Sequence, residues 1–335
     1  MLNGHGDDLH LIEVEIKHNF SSNVYYKGCP KTLLDEVSRC VNQIQSYPSP
    51  TANELNELAA KKFQLKSNQF LFTNGATEAF YLIAQLFSNK KAAIVAPTFA
   101  EYEDACKIFH LDYELINVAE LQNTNANLVF ICNPNNPNGN VLFKAELEYL
   151  FQEKPNTIFV IDEAYIEFTT SIESIVSLTS KYNNLIIVRS LTKTFTIPGL
   201  RLGYVISDAS LIAKLLTLKM PWSVNLLAIK AGEYIFKNYD KLQFNVSELL
   251  EETAVFKKQL SKLNGIRVCE SDTSYFLIEL FDKPANELKH YLIKEHQILV
   301  RDATNFNKLE GEYVRLSTQS KDANNSLIQI LKAWI

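Results

Sequence analysis

From about residue 68 the chain alternates short apolar runs with amphipathic stretches. The runs Phe70–Thr73, Ala92–Ala96, Leu128–Cys132, Ile158–Asp162, Leu185–Arg189 and Gly203–Ile206 are apolar on successive positions. They predict strands covered on both faces, as in a parallel sheet between helical layers. Apolar positions three and four apart in Thr77–Phe87, Glu101–Phe109 and Lys144–Phe151 predict the covering helices. Strand–helix alternation is the pattern of a doubly wound α/β core. After about residue 210 the pattern changes. Helical stretches Leu211–Lys219 and Leu226–Leu263 lead to short strands at Tyr275–Glu279 and Tyr313–Ser317. These are separated by helices at Ala285–His296 and Asn324–Trp334. The expected organisation is an irregular N-terminal arm (1–30), a large α/β domain with a mostly parallel sheet (31–225), and a connecting helix with a smaller α+β domain (226–335).

Composition narrows the function classes. A chain of 335 residues is long enough for one large and one small core. A formal net charge of -5 provides no basic field for a polyanion, so nucleic acid is not the expected partner. The five cysteines, Cys29, Cys40, Cys106, Cys132 and Cys269, are scattered and never paired as C-x-x-C. That pattern argues against a disulfide framework or a metal site and fits a reducing compartment. With no apolar leader core in MLNGHGDDLH and no membrane-length apolar run, the expected location is the cytoplasm, with no membrane partner. Glycine is scarce, at ten residues, and four of them (Gly75, Gly139, Gly199, Gly203) fall in the loops that follow.

Four stretches carry candidate chemistry. In Phe72-Thr73-Asn74-Gly75-Ala76-Thr77-Glu78 a strand turns on Gly75 into a helix near Ala76. This is either an anion site at a helix N-terminus or a plain turn capped by Thr77. Asn133-Pro134-Asn135-Asn136-Pro137-Asn138-Gly139 is a stiff loop at a strand's carboxyl end, where open α/β sheets bind ligands. Asp162, in Ile161-Asp162-Glu163-Ala164-Tyr165, ends an apolar strand and could hold a protonated ring nitrogen; Asp162 or Glu163 could equally cap a helix. In Arg189-Ser190-Leu191-Thr192-Lys193-Thr194-Phe195 a single lysine stands among hydroxyls and apolar flanks, the setting of a nucleophilic amine. Arg201, in Ile197-Pro198-Gly199-Leu200-Arg201-Leu202-Gly203-Tyr204, joins Ser190 and Thr192 as donors for a phosphate.

Together, S-x-T-K with Arg201 after it, D-E-A-Y and N-P-N-N-P-N-G resemble the fold-type I pyridoxal-phosphate enzymes, class I/II aminotransferase branch. The resemblance implies an aminotransferase-like, three-layer large domain and pyridoxal 5'-phosphate as cofactor. It assigns Lys193 as the Schiff-base lysine and proton shuttle, and Asp162 as partner of the pyridine nitrogen. Asn136 and Tyr165 are similar to the pair that bonds the phenolic oxygen. Tyr102, in Pro97-Thr98-Phe99-Ala100-Glu101-Tyr102, resembles the aromatic stacked on the ring. Ser190, Thr192, Arg201 and the Ala76–Thr77 amides resemble the phosphate cup. Tyr47 resembles a residue reaching the neighbouring subunit's cofactor, which implies a homodimer with shared sites. Arg315, in Tyr313-Val314-Arg315-Leu316-Ser317, resembles the fork that clamps the substrate α-carboxylate.

Two subfamilies share these features, the histidinol-phosphate aminotransferases and the threonine-phosphate decarboxylases. Met220-Pro221-Trp222-Ser223-Val224-Asn225 and the arm's Gly4-His5-Gly6 and Phe20-Ser21-Ser22-Asn23 are closer to the decarboxylases. By that resemblance His5 and Asn23 lie near a substrate phosphate, and Arg301 is a second anion candidate. Asp7, Asp8 and the Tyr25-Tyr26 step depart from the pattern. The expected function is decarboxylation of L-threonine O-3-phosphate to aminopropanol phosphate, toward cobalamin. The alternative is an aminotransferase on histidinol phosphate or a related amino acid. A non-catalytic pyridoxal-phosphate-binding sensor ranks last, since such regulators carry a DNA-binding segment for which the first thirty residues leave no room.

Overall fold

The computed structural model describes residues 9–335. In chain order the arm holds β1 (His18–Asn19), followed by α1 (Lys31–Arg39) and α2 (Asn53–Phe63). Then come β2 (Phe70–Asn74), α3 (Gly75–Leu86), β3 (Lys91–Val95), α4 (Glu101–Ile108) and β4 (Asp112–Ile116). Next are β5 (Leu128–Cys132), α5 (Lys144–Glu153), β6 (Ile158–Asp162), β7 (Leu185–Ser190), α6 (Leu191–Thr194) and β8 (Leu202–Ser207). The last third holds α7 (Ala209–Leu218), α8 (Leu226–Lys237), α9 (Tyr239–Leu242) and α10 (Val246–Leu260). It closes with β9 (Ile266–Val268), β10 (Tyr275–Leu280), α11 (Ala285–His296), β11 (Ile298–Leu299), β12 (Arg301–Asp302), β13 (Glu312–Ser317) and α12 (Lys321–Trp334).

The large sheet has seven strands in the order β2-β8-β7-β6-β5-β3-β4. Only β8 runs against the others, antiparallel to both β2 and β7. Alternate residues of one strand feed opposite cores. Phe70 and Phe72 join a cluster with α2, α5 and α8, while Leu71 joins a cluster with α3, α4 and α7. A sheet apolar on both faces must be covered twice, which gives three layers.

The reversed strand matters for the site. The carboxyl ends of β2, β5, β6 and β7 lie along one edge, delivering Asn74, Cys132, Asp162 and Ser190 there. Because β8 is inverted between β2 and β7, its start reaches the same edge, with Gly203 paired to both Thr73 and Ser190. Arg201, just before β8, is thereby placed beside the β2–α3 turn.

One strand of the large sheet adds to those expected, and one expectation needs correction. β4, Asp112-Tyr113-Glu114-Leu115-Ile116, alternates as an edge strand does, rather than running apolar. The stretch Leu226–Leu263 is not one connecting helix but α8, α9 and α10. The breaks fall at Asn238 and at Gln243–Asn245, where the Asn245 side chain caps α10 by accepting from the Glu248 amide. Of these helices α8 packs into the core of the large sheet, through Ala228, Ile229 and Ile235.

The C-terminal sheet is antiparallel, in the order β12-β13-β10-β9. α10, α11 and α12 cover it, and Phe20 of the arm completes that core. The arm is fixed to this unit by parallel pairing of β1 with β11 and by the Ser317 amide donating to the Phe20 carbonyl at 2.9 Å.

Candidate active site

A cavity of about 730 Å³ opens at the strand edge. Its wall includes Ala76, Thr77, Asn136, Asp162, Tyr165, Ser190, Thr192, Lys193, Arg201 and Arg315, together with Asn23 from the arm. Eleven of the residues singled out in the sequence therefore meet in one place.

At one end, α3 begins with no side-chain cap on its N-terminus, so its first amides are open to an anion. Gly75, at φ +73°, leaves room for the Arg201 guanidinium, into which a Cβ at that position would run. A Cβ on Gly203 would stand 2.5 Å from the Ala76 nitrogen, so the close approach of β8 to the turn requires glycine. Ser190 and Thr192 hydroxyls lie 2.7 Å apart, both buried. Amides, two hydroxyls and a guanidinium converging on one spot suit a phosphate.

Asp162 forms the floor. The Tyr102 hydroxyl donates to its Oδ2 at 2.6 Å and the Ala164 amide to its Oδ1 at 2.9 Å. Burial pushes the carboxyl up from its ordinary 3.8 to about 6, more than these donors and Lys193 pull it down. Lys193 offsets only part of that desolvation, and a protonated ring nitrogen beside Asp162 would offset more of it. In the cofactor-free protein the sign follows by linkage. Below pH ~3 folded and unfolded chains are both protonated and the residue costs nothing. The cost grows with rising pH and is complete above about 6, where the interval amounts to about 3 kcal/mol. Asp162→Asn is therefore expected to stabilise the cofactor-free protein by about 2 kcal/mol at pH 7.5 and by almost nothing near pH 3, while lowering activity of the loaded enzyme. Urea denaturation at the two pH values checks it.

Lys193 Nζ lies 5.9 Å from the Tyr165 ring centroid. Tyr165 is itself buried, which pushes its hydroxyl up to about 12. At the far end Arg315 is 5% exposed. One Nη donates to Asn136 Oδ1 and the other to the Ser21 carbonyl at 2.6 Å, while Nε is buried without a partner. Burial lowers its pKa, and among the described residues no carboxylate pairs with it. Among the described residues the Asn23 carboxamide, 3% exposed, makes no hydrogen bond, though it stands near enough to the Tyr165 hydroxyl to hold its pKa down. Unpaired buried donors on a cavity wall mark where a polar ligand completes the bonding.

Four expectations turn out differently or fall elsewhere. Tyr102 does not line the cavity. It is fully buried, stacked on Phe130 (5.3 Å, 9°) and bonded to Asp162 from behind, because α4 begins at Glu101 and turns Tyr102 toward the sheet. Phe99, three residues earlier, stands in the cavity wall instead. Arg301 sits opposite Arg315 in the ladder but outside the wall. Its guanidinium donates to the Asp302 carbonyl at 2.6 Å and to Asn305 at 2.7 Å and lies over Phe306. Tyr47 is 88% exposed and packs near Trp222, away from the cavity of its own chain. His5 lies outside the described residues.

Sequence reading missed Tyr81 and Glu101, which line the cavity as a hydrogen-bonded pair (2.7 Å), and Ser21 and Ser22 of the arm. Their only signal was proximity to residues already singled out. Pyridoxal phosphate fits the residues present. Arg201, Ser190, Thr192 and the α3 amides would hold its phosphate, Lys193 its aldehyde carbon, Asp162 its ring nitrogen, and Asn136 with Tyr165 its phenolic oxygen.

Residues 15–331 match the family model of aminotransferase class I and II. A histidinol-phosphate aminotransferase of Caldanaerobacter subterraneus is 30% identical, across 95% of this chain and 93% of its own length. The threonine-phosphate decarboxylase of Salmonella typhimurium is 29% identical, across 94% and 90%. Among solved structures, the L-threonine-O-3-phosphate decarboxylase of Porphyromonas gingivalis superposes with a TM-score of 0.92 at 34% identity, across 95% of this chain and 99% of that one. A histidinol-phosphate aminotransferase of Sinorhizobium meliloti, in complex with pyridoxal-5'-phosphate, shares the fold with a TM-score of 0.82 at 18% identity, across 95% and 91%.

Proposed function

The chain belongs to the aminotransferase class I and II family, a pyridoxal-phosphate-dependent family of enzymes, and we propose that within it this enzyme decarboxylates L-threonine O-3-phosphate to aminopropanol phosphate, a step toward cobalamin. The observation that carries this reading is the docked arm. β1 pairs with β11, and the chain then runs Ser21, Ser22 and Asn23 along the cavity wall beside Arg315. A substrate with two anionic groups finds one partner in Arg315 and a second set of donors in the arm. The similarity to the Porphyromonas gingivalis decarboxylase and the Met220–Asn225 sequence support the same substrate.

When bound, the cofactor supplies an electron sink for the pair released at the substrate's Cα. The residues do the rest. Asp162 stabilises positive charge at the ring nitrogen. Arg315, with a planar fork and one nitrogen still unpaired, fixes the α-carboxylate and so its angle to the ring. A carboxylate held perpendicular leaves as CO2, and Lys193 Nζ would return a proton to Cα. If Cα–H is held perpendicular instead, Lys193 removes that proton and the enzyme transaminates. The histidinol-phosphate aminotransferase of similar identity favours that second reading.

Incubation of the purified enzyme with threonine phosphate is expected to release CO2 and one equivalent of aminopropanol phosphate. Absence of CO2, together with turnover of histidinol phosphate and 2-oxoglutarate, rejects the decarboxylase in favour of the aminotransferase. We further propose a homodimer. Ile44, Tyr47, Met220 and Trp222 are exposed apolar side chains, which a second subunit would cover while receiving Tyr47 at its own site.

A further inference from the structure

Lys193 sits on α6, a helix of four residues. One turn cannot hold its own geometry, since nucleation fixes several dihedrals for a single hydrogen bond. Its hold comes from outside. Ser190 Oγ accepts from the Thr192 amide at the start of the turn. The Tyr25 amide of the arm donates to the Lys193 carbonyl at 3.3 Å. A third tie is the Thr194 hydroxyl, which donates to Glu167 Oε2 at 3.2 Å.

Glu167 is in turn fixed from two more elements. The Tyr239 hydroxyl of α9 donates to Oε1 at 2.9 Å, and Arg189 of β7 pairs with the same oxygen. The other Arg189 nitrogen bonds Glu163 at 3.0 Å, and Glu163 also accepts from the Ile175 amide at 2.8 Å and the Ser174 hydroxyl at 2.6 Å. Arg189, Glu163 and Thr194 are each under 5% exposed, and neither these three nor Glu167 and Tyr239 form part of the cavity wall. Burying two carboxylates around one guanidinium is expensive in desolvation, and apolar residues of like volume commonly pack as stably. Stability is thus a poor account of the cluster; placement is a better one.

We propose that Glu167 is a positioning residue for Lys193, acting through the Thr194 hydroxyl, with Arg189 and Tyr239 holding the carboxylate still. An acceptor gripped by two fixed donors cannot rotate. The hydroxyl that meets it has one place to sit, and so does the turn that presents Lys193. The inference concerns the lysine alone and holds whichever bond breaks at Cα.

The test compares Thr194→Val, which keeps the shape but deletes the hydroxyl, with Thr194→Ser, which keeps the hydroxyl. Pyridoxal phosphate is added to each cofactor-free protein, and the rate of covalent attachment is followed by absorbance, alongside kcat and the melting temperature. Thr194→Val is expected to attach cofactor about tenfold more slowly and to lose kcat in parallel, within the ~10²-fold that a 1 Å misplacement can cost. Its cofactor-free melting temperature should fall by no more than about 4 °C, the shift of one lost hydrogen bond. Thr194→Ser should attach at the wild-type rate, and Glu167→Gln should fall between the two. Wild-type attachment by Thr194→Val overturns the proposal. So does equal slowing in Thr194→Ser, or slowing that appears only with a much larger fall in melting temperature.

Discussion

Lys193→Ala is expected to leave a folded protein that holds pyridoxal phosphate only by its phosphate and ring contacts, with kcat lowered by at least about 10⁴-fold. The size follows from the double duty of one atom. On the proposed reading Nζ is both the amine that links the cofactor and the base or acid that serves Cα, and among the described residues no other lysine lines the cavity. The fold should tolerate the change. Lys193 is only partly buried, and what ties its turn to the rest is the Ser190 cap and the Tyr25, Thr194 and Thr192 bonds, none of which uses its side chain. Borohydride reduction followed by peptide mass measurement gives the decisive readout. The wild-type peptide containing residue 193 should gain the mass of the reduced cofactor, and the variant should gain none. An adduct of unchanged yield on another lysine would remove Lys193 from its role.

Arg315→Ala should produce the next largest effect, about 2–5 kcal/mol of lost substrate binding, read as a fall in kcat/KM. Arg315 is 5% exposed and already spends two nitrogens on Asn136 and on the Ser21 carbonyl. Its third nitrogen is buried and unpaired, a condition that a bound carboxylate relieves. The cofactor should still bind, since none of its phosphate donors bonds Arg315, but its absorbance should shift, because Arg315 donates to Asn136 and holds down the Tyr165 hydroxyl, the two groups assigned to the phenolic oxygen. Arg315→Lys restores the charge but not the planar fork, so it should recover only part of the loss. If the decarboxylase reading holds, the fork also sets which bond at Cα faces the ring. The ratio of CO2 released to cofactor converted to its amine form should then shift in both variants. Unchanged substrate affinity would move the carboxylate clamp elsewhere.

The sequence by itself determined the layered α/β architecture, because strands buried on both faces must be apolar at every position, and that is visible one residue at a time. Lys193, Asp162, Asn136, Tyr165, Ser190, Thr192 and Arg201 were legible as one set only through the family resemblance, since each stretch alone also reads as a turn, a cap or a loop, and the structure brings all seven to one cavity. Tertiary structure alone decided the matters of direction and distance. Whether Phe99 or Tyr102 faces the cavity depends on where α4 starts, and the two aromatics lie three residues apart in similar surroundings. Whether Arg301 reaches the site depends on Asp302, Asn305 and Phe306, which capture its guanidinium locally. The breaks between α8, α9 and α10 rest on asparagine caps that an amphipathic pattern passes over. The tie from Glu167 to Thr194, and from Arg189 to both glutamates, joins residues separated by 22 to 27 positions in the chain. No local pattern reports such pairings, because they exist only once the sheet has set its strands side by side.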